Sequence, residues 1–380
     1  MKISIITVLN TVNYGSALQT FATQNFFEKL GAEVEFVDYW RKDQTVKEQI
    51  KYIVFDKKKN ILQWIKKPLR DLLRVISVWK AYKCFRGFIK EHIHITAKGY
   101  NSIDDLKRDV PEADIYCTGS DQMWNSNWNQ GIERSFFLEY APVDKKRIAF
   151  ATSIGKTAID DAEAAEIMPL IRKYDFITMR EQSAVNILNK YNISSEMILD
   201  PTLLFSREQW EEHISAKKRE KPYLLVYQLH QSHRDINFDD VVKRIANNRK
   251  LEIVRIVYSY ADRKFGSKVC CPSVFDFLSL LYYADYIVTD SFHGTAFSIN
   301  FNRLFFVVYP NSYSTRMDNI LEFAGLQNRR FSKETEDGQI GQAMDFSNVN
   351  DKLNHRRREI YYRFESFLTT SEESTERGYI

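Results

Sequence analysis

The sequence predicts an α/β protein with two doubly wound, Rossmann-like domains and a cleft between them. Strand and helix signals alternate along most of the 380 residues, and a second series of apolar strands begins at Tyr223. A chain of this length usually forms two domains. Alternating strands and helices require parallel strands joined by right-handed crossovers. Ligands of such folds bind at the carboxyl ends of the strands, so the loops there should carry the function.

The first domain begins with a strand–helix–strand unit. Lys2–Val8 is a buried strand, Ser16–Leu30 is a helix ended by Gly31, and Glu33–Tyr39 is the next strand. Further strands are predicted at Ile115–Thr118, Arg147–Thr152, Phe176–Met179 and Glu196–Leu199, with a helix at Glu181–Tyr191. We assign residues 1–203 to this domain, with a helical insertion at about 45–100.

The second domain is assigned to residues 204–345. Its strands are predicted at Tyr223–Gln228, Ile253–Tyr258, Tyr286–Thr289 and Leu304–Val308, and its helices at Asp239–Asn247 and Val274–Tyr283. Residues 346–380 should form a final helix, Lys352–Leu368, and a frayed polar tail, Thr369–Ile380.

The composition argues against several classes of function. A formal charge of +4 is too small to indicate nucleic-acid binding by the whole chain. The four cysteines form no CxxC pair, which favours reduced thiols in a cytosolic protein and no metal site. Met1–Asn10 is predicted as a strand, so we expect no signal peptide, and the apolar runs are too short to span a membrane.

The segment IVTDSFHGTAFSIN is the most informative. A β-branched strand ends at Asp290, and a helix begins after Ser291, Gly294 and Thr295. Free N–H groups at such a helix start favour a phosphate or carboxylate. His293 lies at the turn, where a proton donor would be useful. The alternative is a capped helix start with a histidine beside it.

The loop Thr118–Asn125 follows another strand. Ser120, Asp121 and Gln122 offer hydrogen bonds beside the aromatic ring of Trp124, a combination typical of sugar sites. The alternative is a structural turn in which Asp121 caps a helix.

Two arginines follow strands in similar places. Arg180 directly follows Phe176–Met179, and Arg316 lies after the last strand. A guanidinium at a strand end can bind a carboxylate or phosphate with two hydrogen bonds. For Arg180 the alternative is a salt bridge to a neighbour such as Glu181.

Six motifs carry a family resemblance. In order they are NYGSALQTF, GSDQMWN, AFATSIGK, FITMREQS, ILDPTLLFSREQW, and TDSFHGTAFSIN followed by NRLFFVV. From about Asn10 to Arg329 the chain resembles the polysaccharide pyruvyl transferase family. Members transfer the enolpyruvyl unit of phosphoenolpyruvate to two hydroxyls of a sugar and form a cyclic pyruvate ketal. Their fold is similar to the two-domain glycosyltransferase (GT-B) fold.

The resemblance implies roles for the residues above. It makes His293 and Asp121 the catalytic candidates, with the second domain on the donor side. The implied donor-binding residues are Arg180, Ser291, Gly294, Thr295 and Arg316. The implied acceptor-binding residues, on the first domain, are Asn13, Tyr14, Gly15, Ser120, Gln122 and Trp124. Phosphoenolpyruvate is the co-substrate, and no metal or organic cofactor is expected.

One position departs from many relatives, which carry Arg two residues before the histidine. Here that residue is Ser291. The donor would then depend more on Arg180, Arg316 and the helix dipole. The D-S-F-H-G form is similar to another branch of the same family.

The insertion is basic and amphipathic. Between Lys57 and Lys90 the only acidic residue is Asp71, and apolar residues that include Trp64 and Trp79 recur at spacings of three and four. Such a helix suits an anionic membrane surface. The alternative is a pair of domain helices with a solvated cationic face. Family members act on lipid-linked saccharides or polysaccharides, so we expect a cytoplasmic protein, peripheral on the inner face of the cell membrane.

Two other functions stay open. A nucleotide-sugar glycosyltransferase should show a ribose-binding carboxylate and a Gly-rich phosphate loop in the second domain. A non-catalytic glycan- or anion-binding protein should have lost polar groups from several loops, yet Asp121, Arg180, Asp290 and His293 are all present.

Overall fold

Two parallel β-sheets organise the protein. The computed structural model describes residues 1–41, 67–216, 219–233, 236–311 and 315–376. The strands are β1 (Lys2–Ile6), β2 (Glu33–Tyr39), β3 (Ile95–Tyr100), β4 (Ile115–Asp121), β5 (Lys146–Thr152), β6 (Phe176–Met179), β7 (Glu196–Met197), β8 (Tyr223–Tyr227), β9 (Glu252–Val257), β10 (Ser267–Cys270), β11 (Tyr286–Thr289) and β12 (Leu304–Val307). The seven-stranded sheet has the order β3-β2-β1-β4-β5-β6-β7, and the five-stranded sheet has the order β10-β9-β8-β11-β12.

Helices connect these strands. They are α1 (Tyr14–Lys29), α2 (Lys67–His92), α3 (Ile103–Arg108), α4 (Ser126–Asn129), α5 (Asp161–Ile171), α6 (Gln182–Lys190), α7 (Pro201–Leu204), α8 (Arg207–Glu211), α9 (Phe238–Arg249), α10 (Val274–Tyr282), α11 (Phe292–Asn300), α12 (Thr315–Ala324), α13 (Asp337–Gly341) and α14 (Ser347–Glu376). Every strand pairing in both sheets is parallel. The predicted fold class, two doubly wound α/β domains, is confirmed.

The strands of the first sheet lie between residues 2 and 197, and those of the second lie between 223 and 307. The predicted domain boundaries stay a prediction. β3 and β10 were not expected from the sequence, and both are edge strands. An edge strand is exposed on more sides than a central one, so ITAKGY and SKVC lack the continuous apolar run that marks a buried parallel strand.

The last helix is longer than predicted. α14 begins at Ser347 and continues to Glu376, beyond the predicted end at Leu368, while 377–380 lie outside the described residues. That the tail from Thr369 frays stays a prediction. Phe364 packs edge-on against Phe150 with ring centroids 5.1 Å apart, which returns the end of the chain to the first sheet. Arg357 donates hydrogen bonds to the Leu203 carbonyl and to Asn300, on segments of both domains. The helix therefore fastens the two domains together.

The insertion is helical from Lys67 to His92. Residues 57–66, the first part of the segment predicted to contact a membrane, lie outside the described residues. One face of α2 is buried through Ala81, Phe85, Phe88 and Ile89. None of the helices in the described part of the chain is both long and apolar enough to cross a membrane.

Candidate active site

Five charged or titratable side chains meet where the carboxyl ends of the two sheets face each other. Asp121 ends β4, Arg180 directly follows β6, and Asp200 is the N-cap of α7. His293 lies in the first turn of α11, and Arg316 lies in the first turn of α12. Each is buried. The topology of parallel sheets thus brings together residues from distant parts of the sequence.

Arg180 is the centre of a buried ion network. Its guanidinium donates to Asp200 Oδ2 at 2.8 Å and to Asp121 Oδ1 at 3.0 Å, and its side chain is only 1% exposed. Burial by itself would raise the pKa of both carboxyls, but the neighbouring cationic side chains lower the pKa of Asp121 and Asp200 below the ordinary value. The salt bridge predicted for Arg180 therefore exists, but its partners are two aspartates and not Glu181.

Asp121 is held in an uncommon conformation. Its backbone φ of 86° lies in the left-handed region, which residues other than glycine seldom adopt. Its second oxygen accepts a hydrogen bond of 2.7 Å from Ser16 Oγ on α1. The carboxylate is therefore fixed from both sides, by Arg180 and by Ser16.

His293 is buried without a hydrogen bond to its outer nitrogen. Nε2 lies 3.8 Å from Asp200 Oδ2, beyond hydrogen-bond distance, and has no partner among the described residues. Burial, together with the positive charges of Arg180 and Arg316, lowers the pKa of His293 to about 4. The imidazole is therefore neutral at pH 7 and carries an unused nitrogen.

Arg316 differs from Arg180 because no carboxylate in the described ranges is within salt-bridge distance of it, although Asp121, Glu181 and Asp200 act on its charge from further away. It is only 9% exposed, and within the described ranges it makes no salt bridge or hydrogen bond; its guanidinium instead lies 5.6 Å from the ring centre of Phe292. Arg180 lies 5.1 Å from the same ring centre. Burial, followed by repulsion from Arg180, lowers the pKa of Arg316 to about 10, so it stays charged at pH 7.

The start of α11 is built by the residues predicted to bind the donor. Ser291 Oγ accepts from the N–H of Gly294, and Thr295 Oγ1 donates to the Ser291 carbonyl. A side chain at Gly294 would meet Thr289, so glycine is needed for the close approach of helix and strand. These three residues shape the helix start by internal contacts, as in the capped-helix alternative. The N–H groups of Phe292 and His293 have no protein acceptor in the described part of the chain.

The loop after β8 was not found from the sequence. Asp290, which follows β11, accepts hydrogen bonds from the N–H groups of Leu229 and His230 and from His233 Nε2 at 2.8 Å. This carboxylate thereby fixes the loop beside Arg316. The His230 side chain is half-buried, and burial lowers its pKa. The only available signal was the pair of histidines in LHQSH directly after a strand.

The predicted acceptor residues at the start of α1 have structural contacts. Asn13 caps the helix by accepting from the N–H groups of Gly15 and Ser16. The Tyr14 ring stacks on Phe277 with centroids 4.2 Å apart, and its hydroxyl donates to the Pro272 carbonyl of the second domain. Tyr14 is completely buried, so the expectation that it contacts acceptor hydroxyls is corrected. A methyl group at Gly15 would lie 1.9 Å from Nδ1 of His293.

The predicted acceptor loop is only partly open to a ligand. Trp124 is buried, stacks on Phe137 and donates from Nε1 to the Phe136 carbonyl, so it presents no open face for a sugar. Ser120 is also buried and donates to the Ala151 carbonyl. These two assignments are corrected. Gln122 is half-buried and accepts from Asn125 through its carbonyl oxygen, which leaves its amide N–H₂ without a partner in the described chain.

A comparison with family models decides the relationship. The model described as polysaccharide pyruvyl transferase matches residues 13–312, most of the chain. The chain belongs to the polysaccharide pyruvyl transferase family. The predicted recognition is confirmed, and family membership makes the protein a transferase. A sequence search of curated proteins found no match.

Solved structures of nucleotide-sugar enzymes resemble this transferase at low similarity. The MnaA–UDP complex of S. aureus is 11% identical, with 94% of this chain and 90% of that chain covered and a TM-score of 0.49. The Methanocaldococcus jannaschii UDP-GlcNAc 2-epimerase with UDP-GlcNAc and UDP is 11% identical, covers 94% of each chain and has a TM-score of 0.46. The spinosyn rhamnosyltransferase SpnG is 9% identical, covers 97% and 96%, and has a TM-score of 0.39. Similarity this low says nothing about chemistry.

No group of three His, Cys, Asp or Glu side chains is placed to hold a metal ion in the ranges that the structure describes for this family member. That this transferase needs no metal or organic cofactor stays a prediction.

Proposed function

We propose that the protein transfers the pyruvyl group of phosphoenolpyruvate to two hydroxyls of a sugar in a surface or capsular polysaccharide repeat unit. The product is a cyclic pyruvate ketal, and phosphate is released. The acceptor is a lipid-linked saccharide or polysaccharide on the cytoplasmic side of the membrane. Membership of the polysaccharide pyruvyl transferase family supports this choice of reaction.

The observation that carries the proposal is the guanidinium of Arg316, which lies beside Phe292 at the start of α11 and makes no salt bridge or hydrogen bond with the described residues. A buried cation without a carboxylate is costly unless a ligand neutralises it. The free N–H groups of Phe292 and His293 point to the same class of ligand, since helix N-termini favour anions. Phosphoenolpyruvate has both a carboxylate and a phosphate, so it can occupy these two places together.

The reaction balances with one acid/base group. A proton adds to the methylene carbon of phosphoenolpyruvate and leaves an oxocarbenium-like carbon. One sugar hydroxyl attacks this carbon, phosphate departs with the C–O bond electrons, and the second hydroxyl closes the ring. The two sugar hydroxyls release two protons. One returns to the acid/base group, which gave a proton to the new methyl group, and the other leaves with phosphate. His293 is the group that gives and recovers the proton, because its Nε2 makes no hydrogen bond with the described residues and is free to bond to a substrate.

Donor binding supplies His293 with the proton that it has to give. In the free protein its pKa is about 4, held low by burial and by the two arginines. An anionic donor at Arg316 offsets that positive charge and raises the pKa of the imidazole. Donor binding should therefore be accompanied by proton uptake. The protonated histidine is then formed only when the substrate is in place.

Arg180 is a positioning residue in this scheme. Because both of its terminal nitrogens are bonded to aspartates, its charge is largely neutralised before the donor arrives. It holds Asp200 beside His293 and Asp121 beside Ser16. Asp121 and Gln122 stay the candidates for acceptor contact.

The test is to incubate the protein with phosphoenolpyruvate and a panel of glycans. We expect phosphate release that depends on one glycan, and a ketal in the recovered sugar by mass spectrometry and NMR. Calorimetry of phosphoenolpyruvate binding in buffers of different ionisation enthalpy should show proton uptake for the wild type and not for His293→Gln.

UDP-sugars, in parallel reactions with the same glycans, are the control. Sugar transfer from a nucleotide donor, without any phosphate release from phosphoenolpyruvate, would overturn the proposal in favour of a glycosyltransferase. Glycan binding without turnover of either donor would identify a non-catalytic binding protein.

A further inference from the structure

The outward face of α2 is apolar at one end and cationic at the other. Leu69, Leu72, Ile76 and Trp79 are 67%, 54%, 44% and 48% exposed. Their spacing of three and four places them in one stripe along the helix. Most of the large exposed apolar side chains in the described part of the chain lie in this stripe or beside it, at Tyr260. Large exposed apolar patches mark interaction sites in soluble proteins.

The same stripe continues into positive charge. One, two and three turns after Trp79, the exposed positions on this face are Lys83, Gly87 and Lys90. Between residues 67 and 90 the only acid is Asp71, and it pairs with Arg74 at 3.6 Å. The face therefore presents apolar side chains together with lysines that form no salt bridge among the described residues.

The helix cannot roll to hide this stripe. Its opposite face is buried in the core through Ala81, Phe85 and Ile89. Ser77 Oγ accepts from the Tyr260 N–H at 2.9 Å, and Lys80 donates to the Tyr260 hydroxyl and the Cys270 carbonyl. Contacts on both domains thus fix the orientation of α2, and the stripe is directed outward in the folded protein.

We propose that this face of α2, defined by Leu69, Leu72, Ile76, Trp79, Lys83 and Lys90, docks on an anionic lipid bilayer. The apolar side chains enter the boundary between headgroups and acyl chains, with Trp79 at the level that suits an indole. The lysines contact lipid phosphates, each worth about 1 kcal/mol near such a surface. The helix then lies along the membrane and does not cross it.

A second copy of the chain suits this face less well. In a two-fold symmetric pair the stripe would meet its own copy. A parallel pairing places lysines against lysines, and an antiparallel pairing buries lysines against leucine and tryptophan. Both arrangements leave charge unpaired, whereas an anionic bilayer satisfies the apolar and cationic parts together. The inference is independent of the transfer reaction, because none of these residues lies in the cleft.

The experiment is co-sedimentation of the full chain with vesicles of phosphatidylcholine alone or mixed with phosphatidylglycerol. We expect the protein to pellet with the anionic vesicles at low salt, with binding that falls as salt rises. The combined change Leu72→Ser, Ile76→Ser and Trp79→Ser should weaken binding at least about tenfold, because apolar burial is lost. Lys83→Glu with Lys90→Glu should weaken binding and reduce its salt dependence.

Val143→Ser with Tyr362→Ser is the matched control, since both side chains are exposed but lie outside α2. It should bind like the wild type. A wild type that stays in the supernatant at low salt would overturn the proposal. So would serine variants that bind anionic vesicles unchanged. A concentration-dependent dimer that the serine changes abolish, seen by light scattering without vesicle binding, would assign the face to a second copy of the chain.

Discussion

The two sides of the cleft treat positive charge in opposite ways. On the first-domain side, both terminal nitrogens of Arg180 are bonded to Asp200 and Asp121, and only Nε is left without an acceptor among the described residues. On the second-domain side, Arg316 and the neutral His293 have no charged hydrogen-bond partner among the described residues. One side thus pairs its cation with two carboxylates, whereas the other leaves a cation without a salt bridge, which is where we propose that the anionic donor binds. In the proposed function, this difference separates the residue that positions the site from the residues that contact the donor.

The largest effect is expected at the histidine. His293→Gln keeps a neutral polar side chain of similar size but cannot transfer a proton, so turnover should fall by about 10²–10⁴-fold. The measurement is phosphate release at saturating phosphoenolpyruvate, with thermal unfolding as the control for folding. Turnover close to that of the wild type would make His293 structural and move the acid/base role elsewhere.

Removing the engaged arginine should affect stability first. Arg180→Ala leaves two buried carboxylates without their cation, which should lower the free energy of unfolding by on the order of 3–5 kcal/mol. Urea unfolding at neutral pH measures this. The sequence alone favoured weakened donor binding as the main result. If the variant is as stable as the wild type but binds phosphoenolpyruvate poorly, that earlier expectation is right and the division between the two arginines is wrong.

Removing the unpaired arginine should affect binding first. A hydrogen bond to a charged group contributes about 1.5–3 kcal/mol, so Arg316→Ala should weaken phosphoenolpyruvate binding roughly 10–150-fold. Calorimetry provides the affinity, and Arg316→Lys is the partner variant that retains the charge without the planar group. Stability should change less than in Arg180→Ala. Unchanged donor affinity would remove Arg316 from the donor site.

The smallest effect is a pH dependence of stability. Burial lowers the pKa of His293 to about 4 from an ordinary value of 6.5, so the folded protein resists the proton that the unfolded chain accepts. The free energy of unfolding carries no penalty from this histidine well above pH 6.5. As pH falls from 6.5 towards 4, the unfolded chain binds a proton that the folded protein does not, and stability is lost. Between about pH 7.5 and about pH 5 the loss amounts to about 2 kcal/mol, at about 1.4 kcal/mol per pH unit below 6.5. Urea titrations at both pH values should show a shallower loss in His293→Gln. An equal loss in both proteins would contradict a desolvated histidine.

The central strands could be predicted from the sequence because parallel strands buried on both faces have continuous apolar runs, as in β8 and β11. The position of the site followed from the same rule, since functional loops gather at the carboxyl ends of such strands. The edge strands β3 and β10 could not be found this way.

The sequence could not show which charged side chains form salt bridges with each other. Asp200 is distant in sequence from both Asp121 and His293. Only the assembled sheets show that Arg180 binds two aspartates, while Arg316 binds none within the described ranges. Trp124 illustrates a related ambiguity, because an indole in a polar loop suits a sugar site and a buried cap equally well. The structure resolves it by the stacking of Trp124 on Phe137.

The contact between Gly15 and His293 has a consequence for hydrolysis, the side reaction in which water takes the place of the sugar. The histidine belongs to the second domain, yet the space it fills is the missing side chain of a glycine in the first. Neither domain alone can desolvate the imidazole, so its low pKa depends on the place where the two domains meet. In the proposed reaction, a proton donor enclosed between the domains gives water little access, which would protect phosphoenolpyruvate from hydrolysis.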